Sequence, residues 1–142
     1  MKHSLRLYKK EKLCSVVAID QLFSRDGIDF SQLCYPLRAV ARRNQRRSSD
    51  APVQFLVSVP KKRLRHAVDR VKMRRRIREA YRLAHHDYAL ESGIRLDLGF
   101  IYVANELTDY ARISRAMNRL LQRLAQAFPA NDNNETPVEM YQ

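Results

Sequence analysis

The chain has 142 residues, 45% of them hydrophobic, which is typical of a single domain with a modest core. Its 27 Lys and Arg residues outnumber 15 Asp and Glu residues, and the net charge of +12 favours polyanionic partners. No run of about 18 apolar residues is present, and the N-terminal residues lack the apolar stretch of a signal peptide. We therefore expect a cytoplasmic protein that binds nucleic acid, with an anionic membrane surface as the second candidate partner.

The two cysteines give no sign of a covalent or metal framework. Cys14 and Cys34 lie 20 positions apart and form no CxxC pair. This spacing argues against both a disulfide scaffold and a zinc site, so we expect two buried thiols.

The first predicted element is a short helix over residues 15–23. Ile19 and Phe23 recur at helical spacing after Ser15, which can cap the helix, and Gly27 then breaks the pattern.

Two strands are predicted next. Residues 33–42 (LCYPLRAVAR) form an extended segment, in which Pro36 requires an edge position or a bulge. The polar run 42–52 is a loop, and a strand follows over residues 53–59. One face of that strand is apolar, with Val53, Phe55, Val57 and Val59. Together the two strands suggest a hairpin.

Most of the positive charge lies in one segment, residues 61–82 (KKRLRHAVDRVKMRRRIREAYR). It holds eleven Lys or Arg residues and two acids, Asp69 and Glu79, and so carries +9 of the chain total of +12. An apolar stripe recurs within and just after it at the spacing of an amphipathic helix, and this stripe requires a core. The stripe comprises Met73, Ile77, Ala80, Tyr81, Ala84 and Tyr88.

The remaining elements are a strand and a closing helix. Residues 96–104 (LDLGFIYVA) are apolar on both faces, as expected of a central strand. A helix follows Thr108 and Asp109, either of which can cap it. Its apolar stripe comprises Ile113, Met117, Leu120, Leu121, Leu124 and Phe128. The predicted order is α-β-β-α-β-α in one domain over residues 1–128, with residues 129–142 as a disordered tail.

The cations of the basic helix cover about two-thirds of its circumference at ~100° per residue. On one side of the stripe lie Arg74, Arg78 and Arg82, and on the other side lie Lys72 and Arg76. Arg75 lies at the back of the helix. A solvated helix stabilised by ion pairs would need more acids, since Glu79 is the one acid placed to pair with these cations. Like charges four residues apart destabilise a free helix, whereas a phosphate backbone neutralises them. The pattern therefore favours contact with phosphates, which arginine binds in bidentate geometry.

The segment KKRLRHAVDRVKMRRRIREAYRL resembles the RNR segment of the bacterial ribonuclease P protein family. In that segment a strand ending in KK is followed by a turn, an apolar pair, R-N-R and basic residues up to R-E. The resemblance covers residues 7–128 and includes the early LF helix, the SVPKK strand end, the DLGFIYVA strand and the final helix. It implies an α/β (α+β) sandwich, a small mixed sheet like the second domain of ribosomal protein S5, with a left-handed βαβ crossover where the right hand is the rule.

The same resemblance implies the protein subunit of ribonuclease P, an endoribonuclease. Such a subunit binds the catalytic RNA and the 5′ leader of precursor tRNA, and it assists removal of the leader during tRNA 5′ maturation. The implied partners are therefore the catalytic RNA subunit and precursor tRNA, with no DNA and no membrane.

Carried over position by position, the resemblance also implies a set of site residues. Arg70 and Lys72 take the outer places of the R-N-R triplet, and Val71 stands where its Asn would be. The implied RNA-binding residues are Lys61, Lys62, Arg65, Arg70, Lys72, Arg74, Arg75, Arg78 and Arg82. Phe23 matches an aromatic residue that borders the implied leader cleft, and Ile19 stands at a position where the family often has another aromatic residue. Tyr35 and Arg38 can line the same cleft. For Phe23 and Tyr35, filling the core is the alternative to stacking on a base.

Nothing in the sequence resembles a hydrolytic site. The three glycines form no phosphate loop, His85 and His86 are adjacent, and no carboxylate cluster suits two metal ions. We expect no catalytic residue, metal site or cofactor in the protein itself, and Mg²⁺ in the holoenzyme that contains the RNA.

Three other functions were weighed against the same pattern. A ribosomal or other structural RNA-binding protein agrees equally well with the charge and is the alternative. A DNA-binding helix-turn-helix needs a helix before its recognition helix, whereas a strand precedes this one. A membrane-surface helix needs an exposed apolar face, which the core requires here.

Overall fold

The computed structural model describes residues 12–13, 19, 22–23, 28–44, 53–90 and 94–129. A four-stranded sheet lies at its centre, with the strand order β1-β2-β4-β3. The strands are β1 (Phe30–Cys34), β2 (Leu37–Arg43), β3 (Val53–Ser58) and β4 (Leu96–Tyr102). Two helices of 18 residues, α1 (Ala67–Ala84) and α2 (Tyr110–Ala127), pack on one face, and a 3₁₀ turn, His85–Asp87, follows α1. The α/β class predicted from the sequence is confirmed.

The first two strands form a tight antiparallel hairpin. β1 and β2 pair along their length, and Tyr35 and Pro36, joined by a cis peptide bond, make the turn between them. The prediction of one extended segment over residues 33–42 was therefore wrong. Pro36 lies in a turn and not within a strand, and the hairpin adds a strand, β1, that begins at Phe30.

The predicted pairing of the strands on either side of the polar loop is also wrong. β2 pairs antiparallel with β4, and β4 pairs parallel with β3, so β4 separates the two. Burial explains this order, because β4 is apolar on both faces and is central in the sheet, as its pattern predicted. β3, α1 and β4 form a parallel βαβ unit, and the hand of its crossover stays a prediction.

The main core lies between the sheet and the two helices. α2 packs against β1, β2 and α1, while α1 also packs against β3. The predicted stripe of α2 is confirmed, since Ile113, Met117, Leu120, Leu121, Leu124 and Phe128 are buried. The stripe of α1 is confirmed for Met73, Ile77, Ala80, Tyr81 and Ala84, whereas Tyr88 lies beyond the end of α1 and is half-buried against the core. Burial of each large apolar side chain stabilises the fold by roughly 1.5–3 kcal/mol.

The opposite face of the sheet carries a smaller apolar cluster. It comprises Leu13, Leu22 and Val40, with Ile19, Ile28, Leu56 and Ile101 packed around them. Gly99 permits this packing, since a Cβ there would lie 3.1 Å from Leu22 Cδ2 and 3.4 Å from Phe23 Cζ. Leu22 and Phe23 therefore lie directly on the middle of β4.

The described residues test the terminal predictions only in part. In the predicted helix over residues 15–23, Ile19 and Leu22 are helical and the Phe23 amide donates to the Ile19 carbonyl (3.2 Å). Cys34 is a buried free thiol, as predicted. The rest of the early helix, Cys14, loop residues 45–52 and tail residues 130–142 lie outside the described residues.

Candidate nucleic-acid interface

The outer side of α1 presents four cations that make no bond within the described protein. Lys72, Arg75 and Arg78 are exposed and Arg74 is half-buried, and none of these four side chains bonds to another residue in the ranges that the structure describes. Among the described residues, no side-chain bond offsets their mutual repulsion. We call these four residues the α1 cationic surface. Val71 lies beside it with 39% of its surface exposed.

Two other arginines of α1 bond to carbonyl groups of the protein. Arg70 Nη1 donates to the carbonyls of Leu64 and Arg65, at 2.8 Å in each case. Arg76 Nη1 donates to the Thr108 carbonyl at 2.5 Å, which connects α1 to the segment before α2. Arg70 was assigned to RNA binding from the sequence, and its guanidinium also holds the turn that leads into α1.

The last cation of α1 is paired with an acid. Arg82 donates to Glu79 through Nε (2.9 Å) and Nη2 (2.5 Å), so Glu79 pairs with one of the cations within its reach. The hydrogen bond from Arg82 lowers the pKa of Glu79 below its ordinary value. Arg82 is thus less available to a phosphate than the α1 cationic surface.

The segment between β3 and α1 adds three exposed cations. Lys61, Lys62 and Arg65 all lie at the surface there. The Arg63 amide donates to the Pro60 carbonyl at 2.9 Å, which closes a turn at the strand end. This turn presents the strand-end lysines next to the beginning of α1.

Two residues of the predicted leader cleft lie on the face of the sheet opposite the helices. Phe23 is 41% exposed and packs beside Gly99. Arg38 is half-buried in β2, pairs in register with Ile101 and donates to the Ser31 hydroxyl at 3.1 Å. An aromatic ring and a guanidinium therefore share this face.

The third predicted cleft residue lies elsewhere. Tyr35 is 70% exposed at the β1–β2 turn and lines a pocket with residues of α2. That pocket is on the helix side of the sheet, so the structure brings Phe23 and Arg38 together but places Tyr35 on a different surface.

α2 carries a second cationic surface, which the sequence reasoning missed. Four arginines recur at i, i+3, i+7 and i+11 within an arc of about 80°. They are Arg112, Arg115, Arg119 and Arg123. Arg123 donates to Gln32 Oε1 (2.9 Å) and to Cys34 Sγ (3.3 Å), while the other three are exposed. The signal in the sequence was this spacing in a helix that contains no acid.

A pocket of about 400 Å³ lies between the β1–β2 turn and the first turns of α2. Its lining includes Tyr35, Pro36, Thr108, Arg112, Arg115 and Arg119. The Tyr102 hydroxyl bonds to the Thr108 hydroxyl (2.7 Å) and to the Glu106 carbonyl. Asp109 caps α2, because its side chain accepts from the Arg112 amide at 3.3 Å. These bonds fix the wall of the pocket from which α2 begins.

These surfaces supply charge, guanidinium donors and exposed rings. Such groups bind phosphates and stack on bases. Among the described residues, no three His, Cys, Asp or Glu side chains lie close enough together to hold a metal ion. No helix in the described ranges is long and apolar enough to cross a membrane.

The fold and the surfaces define a basic α/β protein with two cationic helices on one sheet. The family model of Ribonuclease P matches residues 7–125. The Ribonuclease P protein component of Porphyromonas gingivalis is 36% identical over 131 residues, which cover 90% of this chain and 88% of that protein. The chain belongs to the ribonuclease P protein family.

Solved structures show the same fold. The RNase P protein of Staphylococcus aureus gives a TM-score of 0.61 at 18% identity and covers 83% of this chain and 97% of its own. The RNase P protein of Thermotoga maritima gives 0.61 at 20% identity, with coverage of 80% and 96%. The sheet and helices described above are therefore those of the family.

Proposed function

We propose that this protein binds the catalytic RNA of ribonuclease P through α1 and the turn before it. On the opposite face of the sheet, it binds the 5′ leader of precursor tRNA beside Phe23 and Arg38. In this proposal the protein acts in the cytoplasm and increases affinity for the substrate, while hydrolysis belongs to the RNA subunit and the Mg²⁺ bound to it.

The observation that carries the proposal is the α1 cationic surface. Lys72, Arg74, Arg75 and Arg78 are held on one rigid helix without a carboxylate partner among the described residues. A surface of this kind gains free energy when a phosphate backbone approaches, because each contact releases condensed counterions. Membership of the ribonuclease P protein family supports the catalytic RNA as the polyanion that this surface binds.

The direct test is the salt dependence of binding to the catalytic RNA. Arg74→Ala, Arg75→Ala and Arg78→Ala should each weaken binding and lower the slope of log affinity against log salt by about 0.7 to 0.9 for each phosphate that the protein no longer neutralises. Leu83→Ala is the matched control, since Leu83 is an exposed, uncharged residue of the same helix. Unchanged slopes in all three arginine variants would contradict the phosphate role of α1.

The leader surface is tested by substrates that differ in leader length. Reconstituted holoenzyme should gain more from the protein with a leader of several nucleotides than with a single-nucleotide leader, because only the longer leader reaches the ring of Phe23. Phe23→Leu should reduce this difference, whereas Phe23→Tyr, which keeps an aromatic ring, should preserve it. Equal stimulation of both substrates by the parent protein would refute the leader site and leave the α1 contact standing.

The division of labour between protein and RNA has its own test. The purified protein without RNA should leave precursor tRNA intact, and with the catalytic RNA it should lower the Mg²⁺ concentration needed for cleavage, since its cations replace part of the ionic neutralisation. Cleavage by repurified, nuclease-treated protein alone would overturn the proposal.

A further inference from the structure

The pocket at the beginning of α2 combines three exposed guanidinium groups with no acid in contact. Within the described ranges, the side chains of Arg112, Arg115 and Arg119 make no bond to another residue. Arg112 and Arg119 are separated by about 10 Å along the helix axis. Each group can donate two parallel hydrogen bonds to one phosphate, so the row can follow a phosphodiester chain.

An aromatic ring forms the other side of the same pocket. Tyr35 is 70% exposed, which is unusual for a ring of this size, and it lies at the tip of the β1–β2 hairpin across from the arginines. An exposed ring next to guanidinium groups is the arrangement that holds an unpaired nucleotide, with the base on the ring and the phosphate on the cations. A duplex leaves no base free to stack on Tyr35.

The wall between ring and arginines is fixed from two directions. The buried Tyr102 holds Thr108 through its hydroxyl (2.7 Å), and Arg76 of α1 holds the Thr108 carbonyl (2.5 Å). Arg76 lies on the same helix as the α1 cationic surface, so one hydrogen bond joins that surface to the pocket. The pocket wall is therefore anchored to the helix that carries the α1 cationic surface.

We propose that this pocket binds an unpaired nucleotide of RNA, with the base stacked on Tyr35 and the adjoining phosphates on Arg112, Arg115 and Arg119. This site extends the RNA-binding function proposed above and rests on it. The nucleotide comes from the catalytic RNA or from precursor tRNA, which share this chemistry.

The first test uses the full protein and two labelled probes, a short single-stranded oligouridine and a duplex of the same length. Tyr35→Leu should weaken binding of the single strand roughly 5- to 150-fold, the range expected when one base no longer stacks, and leave the duplex unchanged. Tyr35→Phe keeps the ring and should bind both probes like the parent. Equal losses in the two variants, or none in either, would overturn the stacking assignment.

The second test addresses the arginines. Arg112→Gln, Arg115→Gln and Arg119→Gln together should lower the salt slope for oligouridine by about 1.4 to 2.1, the value for two or three single-strand contacts. The triple Lys variant should retain most of the slope. Both should melt like the parent, because the three side chains are exposed. A parental slope in the Gln variant would overturn the site.

Separate assays identify the RNA that supplies the nucleotide, and they test the pocket and the α1 function independently. Loss of affinity of the Gln variant for catalytic RNA alone identifies that RNA as the source, and loss only in substrate binding by the holoenzyme identifies precursor tRNA. A Gln variant that binds both at parental affinity, while Arg74→Ala, Arg75→Ala and Arg78→Ala weaken binding, refutes the pocket and leaves the α1 function intact. The reverse result supports the pocket and refutes the α1 role.

Discussion

The two helices have the same length and bury the same kind of apolar stripe, yet they hold positive charge differently. α1 contains seven Lys or Arg residues, of which Arg70, Arg76 and Arg82 bond to groups of the protein. α2 contains four arginines, of which Arg123 does so. Judged by bonds among the described residues, the cations left for a partner number four on α1 and three on α2. The number of cations in a helix therefore overstates the difference between the two binding surfaces, because some of the arginines support the fold instead.

The arrangement of these cations differs as well. On α1 they surround the exposed part of the helix, which suits a broad polyanionic surface. On α2 they occupy an arc of about 80° that borders a pocket, which suits a single strand. The comparison predicts that the stability of the protein depends equally on the two apolar stripes. The arginines should differ from one another, because some support the fold and others bind RNA.

The largest effect is expected from a charge placed in a stripe. Ile77→Asp should unfold the protein, with a loss of more than about 4 kcal/mol, because Ile77 is fully buried and the carboxylate would have no partner. Leu120→Asp in α2 should unfold the protein for the same reason. Arg78→Asp, at the next and exposed position of α1, is the control that keeps the fold. Circular dichroism and thermal melting measure all three, and a folded Ile77→Asp would show that the stripe of α1 does not hold it to the core.

A medium effect separates a supporting arginine from a free one. Arg70→Ala should cost about 1 to 2 kcal/mol of unfolding free energy, since it removes two charged hydrogen bonds at a half-buried site. Arg75→Ala should change stability by less than about 0.5 kcal/mol. Denaturant titration of both variants tests this, and equal stabilities would remove the structural role of Arg70.

A smaller effect is expected where the chain departs from the R-N-R pattern. Val71→Asn should change stability by less than about 1 kcal/mol, because Val71 is 39% exposed and outside the core. The new amide should strengthen binding to the catalytic RNA if an amide contact is the family's use of that position. A marked drop in melting temperature would show that the Val71 side chain is packed.

The smallest effect concerns the ion pair between Glu79 and Arg82 of α1. The folded pKa of Glu79 is lowered by Arg82, so the pair stabilises the protein above the ordinary pKa and loses this contribution as the pH falls through the folded value, below about 4.5. Because both side chains are partly exposed, at 46% for Glu79 and 32% for Arg82, solvent screens the pair and Glu79→Gln should lower stability only slightly at neutral pH. It should also abolish this acid-dependent step and raise the salt slope for RNA, since Arg82 is released. Melting curves of the parent and Glu79→Gln from pH 3 to 7 measure this contribution, and a large difference between them at neutral pH would contradict a small role for the pair.

Periodic patterns made much of the fold predictable. The stripes of α1 and α2 and the two-sided burial of β4 follow directly from the spacing of apolar residues. The pairing of the strands did not follow, because β4 inserts between β2 and β3 through contacts that local pattern does not encode. β1 was missed because Cys34 and Leu37 are both buried on either side of a turn, so that the hairpin reads as one continuous apolar segment.

The candidate site was predictable in outline only. Exposure of Lys72, Arg75 and Arg78 followed from their positions beside and behind the stripe. The bonds of Arg70 and Arg76 did not, because their partners are backbone carbonyls of distant loops, which any residue type can provide. The pocket beside Tyr35 depends on how the hairpin tip meets α2, and their separation in the chain hides that meeting.

The strand order has a consequence for synthesis of the chain. β4 is the common neighbour of β2 and β3, and it follows α1 in the sequence. Until β4 has left the ribosome, the apolar stripe of α1 has no complete core, and a helix of like charges is weak on its own. The arginines therefore emerge on an unordered polycation beside a very large RNA. Closure of the sheet, and not formation of the helix, is the event that converts a diffuse attraction for any polyanion into a surface of defined shape.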